Sequence, residues 1–85
     1  MTNTEFDVLD ELYFIQSYEC LMKSLSLSED QLRSTLRSLL EKDWVTCYSS
    51  PIDEIIFESS NFEKEFYNYH YLANKKGLLA HNSNF

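Results

Sequence analysis

The stretch Leu27-Ser28-Glu29-Asp30-Gln31-Leu32 marks the start of a helix more strongly than any other part of this chain. Ser28 is a residue type whose side-chain oxygen accepts from a first-turn N–H, and Gln31 stands three residues on, where its side chain can answer the N–H of the cap. Leu27 and Leu32 occupy the two positions of a hydrophobic staple. Leu32, Leu36, Leu39 and Leu40 then repeat at i, i+4, i+7 and i+8, a stripe that must be buried against something. The spacing predicts a helix over 29–42 that stops at Lys42-Asp43. With 85 residues the chain holds one domain at most. A domain of that size buries only about 60–65% of its extended surface, so the core has to be built around this helix.

The segments before it read as two shorter helices. Thr4 can cap a helix over 5–15, with Glu5 and Asp7 in the first turn and Phe6, Leu9 and Leu12 at helical spacing. Ser17 restarts the pattern for a helix over 18–24, which at about two turns needs a partner to exist at all. After the leucine helix, Trp44-Val45-Thr46-Cys47-Tyr48 is a run of strand formers closed by Ser49-Ser50-Pro51. Ile55-Ile56-Phe57 reads as either a second strand or a loop clamp. Phe62, Phe66 and Tyr69 predict a short helix over 61–67, followed by a strand over 69–73. Asn74-Lys75-Lys76-Gly77 is turn chemistry or the start of a last helix at Leu78-Leu79-Ala80, and residues 81–85 read as a loose tail.

Helix, short helix, capped helix, strand, insertion, strand is the order of a winged helix-turn-helix. The run Ser24-Leu25-Ser26-Leu27-Ser28-Glu29-Asp30-Gln31-Leu32-Arg33-Ser34-Thr35-Leu36-Arg37-Ser38-Leu39-Leu40-Glu41-Lys42-Asp43-Trp44-Val45 resembles the DNA-reading motif of bacterial transcriptional regulators of the multiple-antibiotic-resistance-regulator and arsenical-repressor families. Tyr71-Leu72-Ala73-Asn74-Lys75-Lys76-Gly77 is similar to their closing strand and turn. The likeness covers about half the chain and leaves 50–66 out. Ser26 and Asp43 replace two glycines of the pattern; both types tolerate turn conformations, Asp even the left-handed one. Glu29 and Asp30 stand where neutral or basic residues are commoner.

The resemblance implies an α+β fold: a three-helix core plus a small antiparallel sheet, its wing extended by residues 50–68. It also implies that helix 29–42 enters the major groove of double-stranded DNA. Its outward residues Gln31, Arg33, Ser34, Arg37 and Ser38 would then meet bases and phosphates, with Lys42, Lys75 and Lys76 adding backbone contacts. A homodimer is the family's default. A net charge of −7 pulls the other way, because phosphate binding is driven by clustered cations. Most acids fall in the first helix and in 53–65, so a basic reading face with an acidic back is one reading. The alternative is a solvated face. There Arg33 pairs with Glu29 or Asp30 and Arg37 with Glu41, and the domain binds another protein.

Other chemistry is thinly marked. Cys20, Cys47, His70 and His81 match no close-pair zinc spacing, and the two thiols read as small core residues of a chain kept in the reducing cytoplasm. Gly77 is the single glycine, so there is no phosphate-cradling loop, and no nucleophile stands out near the two histidines. The expectation is a binding protein, not an enzyme, with no cofactor, no metal and no membrane segment. The aromatic run Phe57, Phe62, Phe66, Tyr67, Tyr69 and Tyr71 either thickens the core or forms a self-association surface.

Overall fold

A computed structural model describes residues 1–83. It is an α+β arrangement, with α1 Asn3–Glu11, β1 Gln16–Ser17, α2 Tyr18–Ser24, α3 Glu29–Glu41, β2 Val45–Ser50, β3 Asp53–Ile55, α4 Ser59–Glu65, β4 His70–Ala73 and α5 Lys75–Asn82. A 3-10 turn, Phe66–Asn68, joins α4 to β4. Among the described residues the four strands form one antiparallel sheet in the order β1-β4-β2-β3.

The leucine helix forms as its cap dictates. Ser28 Oγ accepts from Gln31 N–H at 3.2 Å, and Gln31 Oε1 accepts from Ser28 N–H at 2.9 Å. Leu32, Leu36, Leu39 and Leu40 are buried, facing Val8, Leu9 and Leu12 of the first helical segment and Val45 and Cys47 of β2 in one core. The helix ends as Asp43 takes a left-handed conformation (φ 61°). Trp44 N–H then reaches back to Leu39 C=O and Asp43 N–H to Leu40 C=O, the pair of bonds that closes a helix when its next residue is left-handed.

That turn is a fixed point for the rest of the chain. Trp44 C=O accepts from Asn74 N–H at 3.0 Å, and the Asn74 side chain donates to Asp43 C=O at 2.7 Å. The same side chain caps α5 by accepting from Gly77 N–H at 3.0 Å. Gly77 lies so close that a Cβ there would stand 2.1 Å from Trp44 O. The glycine of the closing turn is thus required by close approach of two backbones, not by its own dihedral angles.

Several expectations need correcting. The first helix runs over Asn3–Glu11 and not 5–15, and its cap is Thr2, which forms a reciprocal box with Glu5. The chain then turns early enough for Gln16 and Ser17 to pair with Tyr71 and His70 as a two-residue strand, too short to leave a pattern in sequence. The segment 50–68 is more than a lengthened wing. It makes β3, then α4 and the 3-10 turn, which bury Phe62 and Phe66 in the core. Its rings mostly thicken that core: Tyr71 is also buried, Phe57 and Tyr69 half-buried, and only Tyr67 is exposed.

The tail expectation also fails at its first residue. His81 is buried on α5, stacks on the Phe6 ring at 4.1 Å, and has the Tyr13 hydroxyl 3.0 Å from its Nδ1. Asn84 and Phe85 lie outside the described residues. Cys20 is exposed and Cys47 buried, so the expectation of two core thiols holds for one.

Gly77→Ala is expected to destabilise the fold by about 2–3 kcal/mol, the usual scale for forcing atoms into a filled space. Thermal unfolding checks it: the Tm should fall by more than about 8 °C for a domain this small.

Candidate nucleic-acid interface

Eight residues carry the expectation of a DNA-reading surface, and the structure distributes them over three places. Gln31, Arg33, Ser34, Arg37 and Ser38 ride on α3, Lys42 caps its end, and Lys75 and Lys76 open α5. A helix of thirteen residues is about 20 Å long, so Gln31 and the lysine pair sit near opposite ends of it. The link is Lys76, which pairs with Asp43 at 3.2 Å just beyond the C-terminal cap.

Each of the basic residues on or beside α3 is already engaged. Arg33 Nη2 lies 3.0 Å from Asp30 Oδ1, with its guanidinium 5.9 Å from the centre of the Phe66 ring. Arg37 Nη1 is 2.9 Å from Glu63 Oε1, and its Nε is 3.8 Å from Glu41. Glu63 belongs to α4. The insertion that the resemblance leaves out therefore places a carboxylate against the presumed reading helix, where sequence alone assigned the acids of 53–65 to the back. Among the described residues Lys64 and Lys75 make no ion pair.

Ser38 is half-buried and Lys42 exposed, but neither side chain is left unengaged for a phosphate. Both turn to Glu5 of α1, which is only 4% exposed. Lys42 Nζ donates to Glu5 Oε2 at 2.7 Å, Ser38 Oγ donates to the same oxygen at 3.1 Å, and Thr2 N–H donates to Oε1 at 3.0 Å. Burial by itself pushes the Glu5 carboxyl up. The three donors and the Lys42 charge together outweigh it and hold the carboxyl below its ordinary range. Lys42 also lies 4.8 Å from the centre of the Trp44 ring. Sequence reasoning missed Glu5, since a charged residue in a helical first turn ordinarily points to solvent. The one available signal was the Thr2-x-x-Glu5 box.

On the same flank, Thr2 and Thr4 stand opposite Asp30, Gln31, Ser34 and Thr35 across an open cleft of about 410 Å³. Gln31 spends its amide oxygen on the α3 cap. The middle of the outward stripe, by helical spacing, is Asp30, Ser34, Arg37 and Glu41, which carries two acids to one base. The hairpin beside it adds no cation. From Asp43 to Glu63 the chain has Asp43, Asp53, Glu54, Glu58 and Glu63 and no lysine or arginine.

No three His, Cys, Asp or Glu side chains among the described residues converge as metal ligands would. No helix among them is long and apolar enough to cross a membrane.

The Glu5 cluster sets a pH dependence with a definite sign. A carboxyl whose folded pKa is depressed adds stability that is present above its unfolded value, about 4.3, and is lost as pH falls through the lower folded value. Glu5→Gln is expected to cost about 1–2 kcal/mol at pH 7. Urea titrations of both proteins between pH 7 and pH 3 should show the gap closing below about pH 4. Comparing the two removes the general relief of negative charge on acidification, which affects both alike.

No protein-family model matches this chain, and neither a curated protein nor a solved structure is significantly similar to it.

Proposed function

We propose that this chain is a winged-helix domain that binds a protein partner and not duplex DNA. The fold reading is supported by element order and pairing. A three-helix unit is interrupted by a short strand, β1, which pairs with the last strand, while β2 and β3 form a hairpin where a wing belongs. The capped α3 follows α2 after a short turn, as the second helix of a helix-turn-helix does.

The observation that carries the functional reading is the Arg37–Glu63 pair, together with the acids that surround it. Exposed ion pairs are weak, a few tenths of a kcal/mol to about 1, and a duplex could strip them. The carboxylates would remain. Glu29, Asp30, Glu41 and Glu63 all belong to α3 or its flank, and phosphates docked there would meet like charge with no counterion release to compensate. The wing repeats the problem with Asp53 and Glu54.

The protein-binding reading also rests on exposed apolar groups that a DNA reader has no use for. Ile52 and Ile56, on either side of β3, are 88% and 91% exposed. The two thiols fit a reducing compartment: neither is in a disulfide, and burial pushes the Cys47 thiol up to about 11, leaving it unreactive.

Fluorescence anisotropy against a pool of random duplexes at about 20 mM salt tests this where electrostatic attraction is least screened. No saturable binding is expected. Arg33→Ala and Arg37→Ala should change only helix stability, by a few tenths of a kcal/mol. Saturable binding that weakens steeply with salt, and weakens further in Arg37→Ala, would contradict the proposal.

A further inference from the structure

The outer edge of the sheet is unpaired among the described residues and carries carboxylates beside exposed apolar side chains. Strand β3 is the last in the order β1-β4-β2-β3, so one side of it has no neighbour among the described residues. Its hydrogen-bonding parity follows from the pairing. Asn74 N–H bonds Trp44 C=O, so in the register Val45↔Ala73, Thr46↔Leu72 the groups of Thr46 point to β4 and those of Cys47 to β3. Cys47 is opposite Ile55, which therefore points its N–H and C=O inward, and Glu54 points its own outward. An exposed residue with both backbone groups directed away from the sheet is the template on which a further strand forms.

Side chains beside that edge add specificity. Glu54 in the strand and Ile56 two residues on are both exposed, and Ile52, in the turn that enters the strand, is exposed as well. Ile55 and Phe57, on the other face, pack against the core and anchor the edge. Where the chain leaves the sheet after Ile55, a cleft of about 220 Å³ opens, lined by Leu40, Asp43, Val45, Ile55 and Phe57 among others.

We infer that this edge binds an extended, basic segment of a partner protein by adding it to β3 as a fifth strand, an inference that rests on the protein-binding reading above. Charge selects the occupant. Asp53 and Glu54 stand on the edge itself, Asp43 and Glu54 on the cleft, and no lysine or arginine occurs between Asp43 and Glu63. A second copy of this chain is disfavoured, because antiparallel β3–β3 pairing sets these carboxylates against their own duplicates. A strand with apolar, basic and apolar side chains at alternate positions places its cation beside Glu54 and its apolar groups beside Ile52 and Ile56.

The test uses the full chain, ¹⁵N-labelled, and a fluorescein-labelled peptide with the core valine-lysine-arginine-threonine-valine. Two control peptides go with it, one N-methylated at alternate amides and one with glutamate for both cations. Amide shifts confined to Ile52–Ile56 and β2 are expected, with saturable anisotropy. Affinity should fall about tenfold or more in Glu54→Lys and in Ile56→Ser, and with either control peptide. Both side chains are exposed, and the amide spectrum shows directly that each variant keeps its fold.

No binding, equal binding of either control, or shifts centred elsewhere would overturn the inference. So would concentration-dependent shifts at Ile52–Ile56 without peptide, which would make a second copy the occupant. A failed peptide with no duplex binding sinks this inference alone. Duplex binding that displaces the peptide sinks the protein-binding reading with it.

Discussion

A single buried carboxylate ties α1 to the C-terminal end of α3. Glu5 sits in the first turn of α1 yet is covered by α3, and it takes hydrogen bonds from Thr2, Ser38 and Lys42. Leaving such a charge buried without partners costs several kcal/mol, so the donors and the carboxylate require one another. The consequence is geometric. With Lys42 held at the end of α3, α1 is set against the flank of that helix, and the leucine stripe faces Val8, Leu9 and Leu12. Beyond Lys42 the left-handed turn at Asp43 delivers Trp44 to Asn74 and so fixes α5.

The same pairing of charges extends over the outer face of α3, and the proposal that this face does not read DNA rests on it. A helix-turn-helix needs cations with nothing better to bind. Here Ser38 and Lys42 belong to Glu5, Arg33 to Asp30, and Arg37 to Glu41 and Glu63. The exposed pairs are individually weak and the Lys42–Glu5 pair has one partner buried; together they leave a helix face on which Arg33, Arg37 and Lys42 each have a counter-charge within the chain. Strand β3 differs: its carboxylates, Asp53 and Glu54, form no ion pair among the described residues, and Ile52 and Ile56, which flank it, are uncovered.

How far the chain could be read depended on whether the deciding interaction was local. The Ser28/Gln31 box, the leucine stripe, the left-handed tolerance of Asp43 and the helical spacing of Phe62 and Phe66 are all written within a few residues, and each is realised. Strand β1 has two residues, and its partner lies more than fifty positions on, so no periodicity betrays it. Glu5 resembles an ordinary first-turn acid, and His81 a tail residue; burial of either is a property of the assembled helices. The Arg37–Glu41 pair could be anticipated from i, i+4 spacing, whereas Glu63 arrives on α4 from 26 residues away. That contact, invisible in sequence, turns an open question about the α3 face into a specific proposal.

A double-mutant cycle between Glu5 and Lys42, with Glu5→Gln and Lys42→Met and unfolding free energies measured in urea, tests whether the charges of α3 are committed within the fold. A favourable coupling of about 1–2 kcal/mol is expected, because one partner is buried and the bond is charge-assisted. That coupling should survive about 0.5 M salt, which screens exposed pairs far more than buried ones. Additive effects, with no coupling beyond error, would mean that Lys42 is free to meet a phosphate and that the charges of α3 are not committed within the fold.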